Sequence, residues 1–275
     1  MKTLVDHHIH ILEKSVLNSE SLDRYWQRAQ KNQIGFLGFS EHAYLFQQAE
    51  SINFNQWQKN KQVFDLEKYY RVLAGFRQKT PGILIGLEVD FYPERLAETR
   101  AFIEYCRCCY DFDFLSGSVH WIGDWGIDLD KESYHEKMSS EQTVREKYNQ
   151  YYDLIEQMIE TRLFDLVCHL DLIKIFGAVD PGNEKFWNLI KILKQNDQAL
   201  EVNINGLNKP IQEPYPGFGF VKKCLEQSIP ITLSSDAHEE SRVGEHFDIT
   251  IKELRNLGLK NLIYYEAGQR KKLFI

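Results

Sequence analysis

The chain has 275 residues, 43% of them hydrophobic and 27% charged, and a formal net charge of −7. Those proportions exclude a disordered polymer and suit one α/β barrel, so a single domain over residues 1–275 is expected. The acidic balance, with no Lys/Arg-rich stripe interleaved with aromatics, argues against a nucleic-acid backbone as the main partner. Short apolar, β-branched or aromatic runs recur, each followed by a longer amphipathic segment, which predicts βα units around a parallel sheet. A strand in TLVDHHIH precedes a helix over Leu22–Gln33, and FLGFSEH precedes a polar, aromatic, poorly periodic stretch from Tyr44 to Asp65. That stretch is read as a long loop with a short helix, of the kind that serves as a lid or specificity element. A helix over Leu66–Lys79 follows, with Asp65 as candidate cap; Ser21 is the candidate cap or cap neighbour of the first helix. ILIGLEVDF, DFLSGSVHW, DLVCHLDL and ALEVNING then alternate with helices over Glu94–Tyr110, Glu141–Thr161, Glu184–Gln195 and Phe218–Gln227. IPITLSSDAH supplies a further strand, and NLIYYEAG a last extended piece.

The N-terminus, MKTLVDHHIH, runs directly into a His-rich strand end with no apolar leader, and no run approaches the length of a membrane span. Five cysteines, three of them in CRCC, do not make a secreted disulfide framework. A cytoplasmic location, with no membrane partner, is the expectation. CRCC falls in the helix ETRAFIEYCRCCY without a second Cys or His pair at zinc-site spacing, so it is read as structural.

The His, Asp and Glu residues are placed unevenly. Nearly every expected strand delivers one or two at its C-terminal end: His8 and His10, Glu41 and His42, Glu88 and Asp90, His120, His169 and Asp171, Asp236 and His238. In a parallel α/β barrel those ends share one face, where active sites are assembled. His8 and His10 lie two apart on a strand and point to one side, as do Asp236 and His238. Imidazole and carboxylate together suit zinc, manganese or iron. A lone histidine at a strand end is more often a hydrogen-bonded core residue than a ligand. Here six of the nine histidines share the position, leaving His7, His135 and His246 outside the pattern. Asp6, Glu41, Asp90 and Asp171 are candidates to hold ligand imidazoles in one tautomer.

The motifs DHHIH (Asp6–His10), GFSEHA (Gly38–Ala43), GLEVDF (Gly86–Phe91), GSVHW (Gly117–Trp121), CHLDLIKIFG (Cys168–Gly177), EVNINGLNKP (Glu201–Pro210) and SSDAHEESRVG (Ser234–Gly244) span nearly the whole chain. In them the sequence resembles the polymerase and histidinol phosphatase (PHP) family, in particular its stand-alone histidinol-phosphate phosphatases. The resemblance implies a distorted (β/α)7 barrel holding two or three divalent ions at the C-terminal strand ends. It also implies hydrolysis of L-histidinol phosphate, a small-molecule phosphate monoester of histidine biosynthesis. Carried over by position, His8, His10, Glu88 and Asp236 correspond to ligands of one ion. Glu88 bridges to a second that also takes His120, and His42, His169 and His238 correspond to the third. One position departs from the family: Val16 stands where many members have a further histidine, and Glu13 is the nearest residue able to replace it.

A phosphate monoester is anionic and its alkoxide leaves poorly. Metal ions about 3.5–4 Å apart answer both problems by binding phosphoryl oxygens and by acidifying a bridging water that becomes the nucleophile. Asp236 is the candidate acceptor of the water's proton and Asp171 the candidate donor to the leaving oxygen. Arg242 and Lys209 are the candidate phosphate-binding cations, Asn205 a candidate orienting amide, and Trp121, Trp125 and Asp128 the candidate contacts for the imidazole and amine of histidinol. A nuclease or protein-tyrosine phosphatase of the same family and a non-catalytic metal-binding scaffold are the alternatives. Oligomeric state is not legible.

Overall fold

The computed structural model describes residues 4–180 and 182–275. Seven parallel strands form one sheet: β1 (Leu4–Ile9), β2 (Ile34–His42), β3 (Ile83–Asp90), β4 (Phe114–Ser118), β7 (Leu166–Val167), β8 (Ala199–Asn203) and β9 (Ile231–Ser234). Between β4 and β7 a small antiparallel hairpin pairs β5 (Trp121–Ile122) with β6 (Trp125–Gly126). The sheet runs in chain order and curls until its first and last strands meet. Ile9 bridges Ala237 in parallel and the His10 amide donates to the Ala237 carbonyl at 2.9 Å. The result is a nearly closed seven-stranded barrel, which agrees with the βα alternation and is the architecture that the family resemblance implies.

The strands read as they do because both faces are covered. Every residue of β3 is buried, the continuous apolar run of a strand packed between barrel interior and helices. At Gly86 a side chain would strike the Phe114 ring, with the nearest ring atom 2.5 Å from an ideal Cβ, so glycine there permits the close approach of β3 and β4.

The outer helices are α1 (Ser19–Lys31), α3 (Leu66–Arg77), α4 (Leu96–Cys109), α6 (Glu141–Thr161), α7 (Glu184–Gln195), α8 (Phe218–Glu226) and α9 (Phe247–Asn256), with short α2 (Gln56–Lys59) and α5 (Lys131–Lys137) in connections. Asp65 caps α3, accepting from the Lys68 amide at 2.7 Å. Ser21 does not cap α1. Asn18 does so, accepting from the Ser21 amide at 2.9 Å, which starts the helix at Ser19 and leaves the Ser21 hydroxyl donating to the Val16 carbonyl. CRCC lies in the last turns of α4, with Cys106 buried and Cys108 and Cys109 exposed.

One expected strand is shorter than read, and the last extended piece, present as expected, comes with elements that the sequence reading lacked. The strand at DLVCHLDL shrinks to two residues, because the chain turns into a 3-10 segment at Leu172–Lys174 directly after His169 and Asp171. NLIYYEAG lies outside the barrel sheet: as β10 (Asn261–Glu266) it pairs antiparallel with β11 (Gln269–Phe274). Helix α9 was not anticipated, although Phe247, Thr250, Ile251 and Leu254 bury one face at helical spacing. Among the described residues no helix is long and apolar enough to cross a membrane.

Candidate metal centre

Glu88, at the end of β3, is the point on which the C-terminal strand ends converge. Its Oε2 lies 2.7 Å from His42 Nδ1, 3.3 Å from His8 Nε2 and 3.6 Å from His10 Nε2. Its Oε1 lies 2.8 Å from His169 Nε2 and 3.5 Å from His120 Nε2. Five imidazoles therefore surround one buried carboxylate. Burial works against the charge of Glu88, but His42, His120 and His8 outweigh it and hold the carboxyl well below its ordinary range.

Asp236 closes the ring of strands from the other side. Its Oδ1 is 3.4 Å from His10 Nε2, 3.5 Å from His238 Nε2 and 3.9 Å from His8 Nε2. The residue sits at φ +52°, a left-handed conformation that costs a non-glycine residue energy, as happens where a site demands a particular side-chain direction. Asn203 and Asn205 donate to the opposite oxygen, Oδ2, at 3.1 and 3.4 Å, so Oδ1 faces the imidazoles.

Behind the imidazoles stands a second row of carboxylates. His8 Nδ1 donates to Glu201 Oε1 at 2.7 Å and His120 Nδ1 to Asp90 Oδ1 at 2.7 Å, which directs the Nε2 of each ring inward. Glu41 lies behind His10, its Oε2 3.6 Å from Nδ1, and its Oε1 accepts the Leu12 amide at 2.7 Å. Glu13 Oε2 is 2.9 Å from His238 Nδ1, and that hydrogen bond draws the Glu13 carboxyl down to about 2. Burial opposes the charge of His120, yet Asp90 and Glu88 raise it to about 10. Asp6 serves the backbone instead. It accepts from the Ser235 amide and hydroxyl and from the Gly244 amide, and burial lifts its carboxyl to about 6.

The donor set fits a cation. His8 Nε2, both ring nitrogens of His10, Glu88 Oε2 and His169 Nδ1 are buried with no hydrogen-bond partner. Unsatisfied buried polar atoms each cost about 1–3 kcal/mol, and a concentration of them on one face signals a ligand. Three sets bring candidate ligand atoms within 4.8 Å of one another: His8, His10 and Asp236; His42, Glu88 and His120; His10, His42 and His238. A fourth adds the buried thiol of Cys168 to His8 and Glu88. The grouping differs from the one carried over by position, since His42 and His238 close on His10 while His169 meets Glu88 Oε1.

The cluster floors a cavity of about 230 Å³, whose walls include Glu13, Trp121, Asp128, Asn205 and Lys209. Three sequence candidates stand elsewhere. Arg242 pairs with Glu245 at 2.9 Å and does not reach the cavity. Trp125 is buried against Tyr134, ring centroids 6.0 Å apart. Asp171 is paired with buried Lys174 at 2.9 Å and borders a separate aromatic cavity with Tyr152, Phe186 and Phe220, so it is not placed to protonate a leaving group over the cluster. Val16 is 73% exposed and points away, whereas Glu13 reaches the cavity.

Sequence reasoning missed Glu201, Tyr44, Trp57 and Tyr215. Glu201 was detectable as an acid inside the apolar run ALEVN. It is fully buried and also accepts from the His169 amide and the Ser234 hydroxyl. Tyr44 and Trp57 belong to a segment whose fold no periodicity reveals.

The PHP domain signature matches residues 6–205 of the chain. The "Probable histidinol-phosphatase" of Deinococcus radiodurans is 34% identical over 204 residues, 72% of this chain and 75% of that protein. The histidinol-phosphatase of Bacillus subtilis is 25% identical over 268 residues, 88% of this chain and 96% of its own. Among solved structures, the histidinol phosphate phosphatase of Lactococcus lactis, complexed with zinc, L-histidinol and phosphate, superposes with a TM-score of 0.75 at 20% identity, covering 98% of this chain and 99% of that one. With the strand-end histidines gathered around Glu88 and the domain signature beginning at Asp6, the chain belongs to the PHP family.

Proposed function

We propose that this chain is a metal-dependent phosphomonoesterase that hydrolyses L-histidinol phosphate to L-histidinol and phosphate. One observation carries the reading: five imidazoles and Asp236 converge around Glu88 at the floor of a small cavity, with His8 Nε2, both ring nitrogens of His10 and Glu88 Oε2 buried without hydrogen-bond partners. The names of the Deinococcus and Bacillus relatives and the ligands of the Lactococcus structure support the choice of substrate.

His8, His10 and Asp236 would hold one divalent ion, and His42, Glu88 and His120 a second. His238, backed by Glu13, would take part in a third position only by drawing His10 or His42 from those two sets, since a neutral imidazole gives its inward lone pair to one ion. Zinc, manganese or iron suits these nitrogen and oxygen donors. Bound there, such ions supply Lewis acidity toward the phosphoryl oxygens and lower the pKa of water.

The chain's own residues do the rest. Glu201 and Asp90 accept from Nδ1 of His8 and His120, so the inward Nε2 of each ring is the atom that would meet an ion, giving up its proton on binding. Asn203 and Asn205 hold Asp236 Oδ2 and leave Oδ1 toward His10 and His238, where it can take the proton of an attacking water. Lys209 is the cation on the cavity wall and is placed to meet a phosphoryl oxygen. A cavity of about 230 Å³ suits a small monoester rather than a folded polymer, and the net charge of −7 disfavours nucleic acid.

The test is phosphate release by metal-loaded protein from histidinol phosphate, a phosphotyrosine peptide and a single-stranded oligonucleotide. Selective turnover of histidinol phosphate, abolished by a chelator, is expected. Preferential turnover of the oligonucleotide or the peptide would overturn the assignment.

A further inference from the structure

The segment between β2 and α3 builds a wall that the metal cluster does not explain. Tyr44 stacks on His42, with centroids 4.8 Å apart and planes at 19°. Trp57 meets Tyr44 edge-on at 5.5 Å and lies 5.6 Å from Trp121. Tyr44, Trp57 and Trp121 thus continue the ring system of His42 upward along one side of the cavity, which they line together with Asp128, Glu13 and Lys209.

Trp57 is held rigidly. Short helix α2 is capped by Asn55, whose Oδ1 accepts the Gln58 amide at 2.9 Å. The fully buried Gln58 side chain donates to Asp90 Oδ2 at 2.9 Å, on the same carboxylate that holds His120. The residue next to Trp57 is therefore pinned to the cluster's own support. An anchored ring discriminates between ligands because little entropy is lost when it is used.

The chemistry of the wall is specific. Indole attracts cations over its face, and the Lys61 ammonium already lies 5.1 Å from the Trp57 centroid. Asp128 and Glu13 add negative charge around the same cavity, and Lys209 adds the positive charge a phosphate needs. Resting on the function proposed above, we infer that Trp57 is the specificity-determining residue, through which this site selects a monoester of a flat-ringed, cationic alcohol over an aliphatic neutral one.

The experiment compares kcat and KM of wild type, Trp57→Leu and Trp57→Phe on histidinol phosphate and on glycerol 1-phosphate, which has neither ring nor positive charge. Trp57→Leu should lose about tenfold in kcat/KM on histidinol phosphate, chiefly through KM, with glycerol 1-phosphate unchanged within about twofold. Trp57→Phe should recover most of the loss. Equal loss on both substrates would reduce Trp57 to a structural role, and a wild-type preference retained by Trp57→Leu would also overturn the inference while leaving the proposed function standing. A wild-type enzyme that does not prefer histidinol phosphate would overturn the substrate reading, and this inference with it.

Discussion

Both ends of the barrel bury carboxylates, but they treat them in opposite ways. At the N-terminal end, Asp113 accepts from the Ile85 and Ala267 amides, each at 2.7 Å, and from Arg77 at 3.0 Å. Asp165 likewise accepts from the Leu115 amide at 2.8 Å and from Arg107 at 3.0 Å, and Tyr265 of the terminal hairpin donates to its carbonyl. Those carboxylates stitch strand starts to the hairpin and to α3 and α4. At the C-terminal end, Glu88 Oε2, His8 Nε2 and both ring nitrogens of His10 are left without partners. A satisfied buried charge is part of the scaffold, and an unsatisfied cluster is a demand for a ligand. The same residue type serves stability at one end and chemistry at the other, according to whether its partners come from the protein.

If that contrast holds, substitutions at the two ends should separate cleanly. Asp236→Asn should cost turnover on the order of a thousandfold with the melting temperature of the metal-free protein little changed, read by phosphate release and circular dichroism. Retained activity would show that the convergence is not functional. Asp113→Ala should do the reverse, removing about 2–4 kcal/mol of stability in denaturant titrations because two amides and Arg77 lose their acceptor, while kcat of the folded fraction stays near wild type. A large fall in kcat there would break the division between the ends.

Two milder changes sharpen it. Glu201→Gln keeps the shape but weakens the hold on His8 Nδ1, and a loss of about 10- to 100-fold in metal affinity is expected from ion titration of the metal-free protein. Unchanged affinity would demote Glu201 to a strand linker. Val16→His should alter turnover by no more than about twofold, since the side chain at that position faces solvent. A marked gain would mean that the Val16 loop folds inward when ions bind.

Much of the site was legible because its residues obey a positional rule. In a parallel barrel every strand runs the same way, so an acid or histidine at a strand's C-terminal end belongs to the shared face wherever it falls in the chain. His8, His10, His42, Glu88, His120, His169, Asp236 and His238 could all be placed on that face from strand boundaries alone. Asp171 obeyed the same rule and misled, because Lys174, one 3-10 turn later, turns its carboxylate into an ion pair facing another cavity. Arg242 stands outside the cavity lining, its guanidinium 2.9 Å from Glu245 on the surface. Periodicity fixes the path of the backbone but does not say which of two neighbours a long polar side chain chooses.

The amino-acid sequence by itself determined the βα alternation and the face that carries the chemistry, which follow from local pattern and strand direction, while its motifs carried the family resemblance and the seven-stranded barrel that it implies. Only the tertiary structure decided which imidazoles share a position, that Glu201 supports His8, that β11 becomes a strand against β10, and that the segment carrying Trp57 folds over the cluster. Each of those depends on contacts between residues distant in the chain, where distances of a few tenths of an ångström separate a ligand from a bystander.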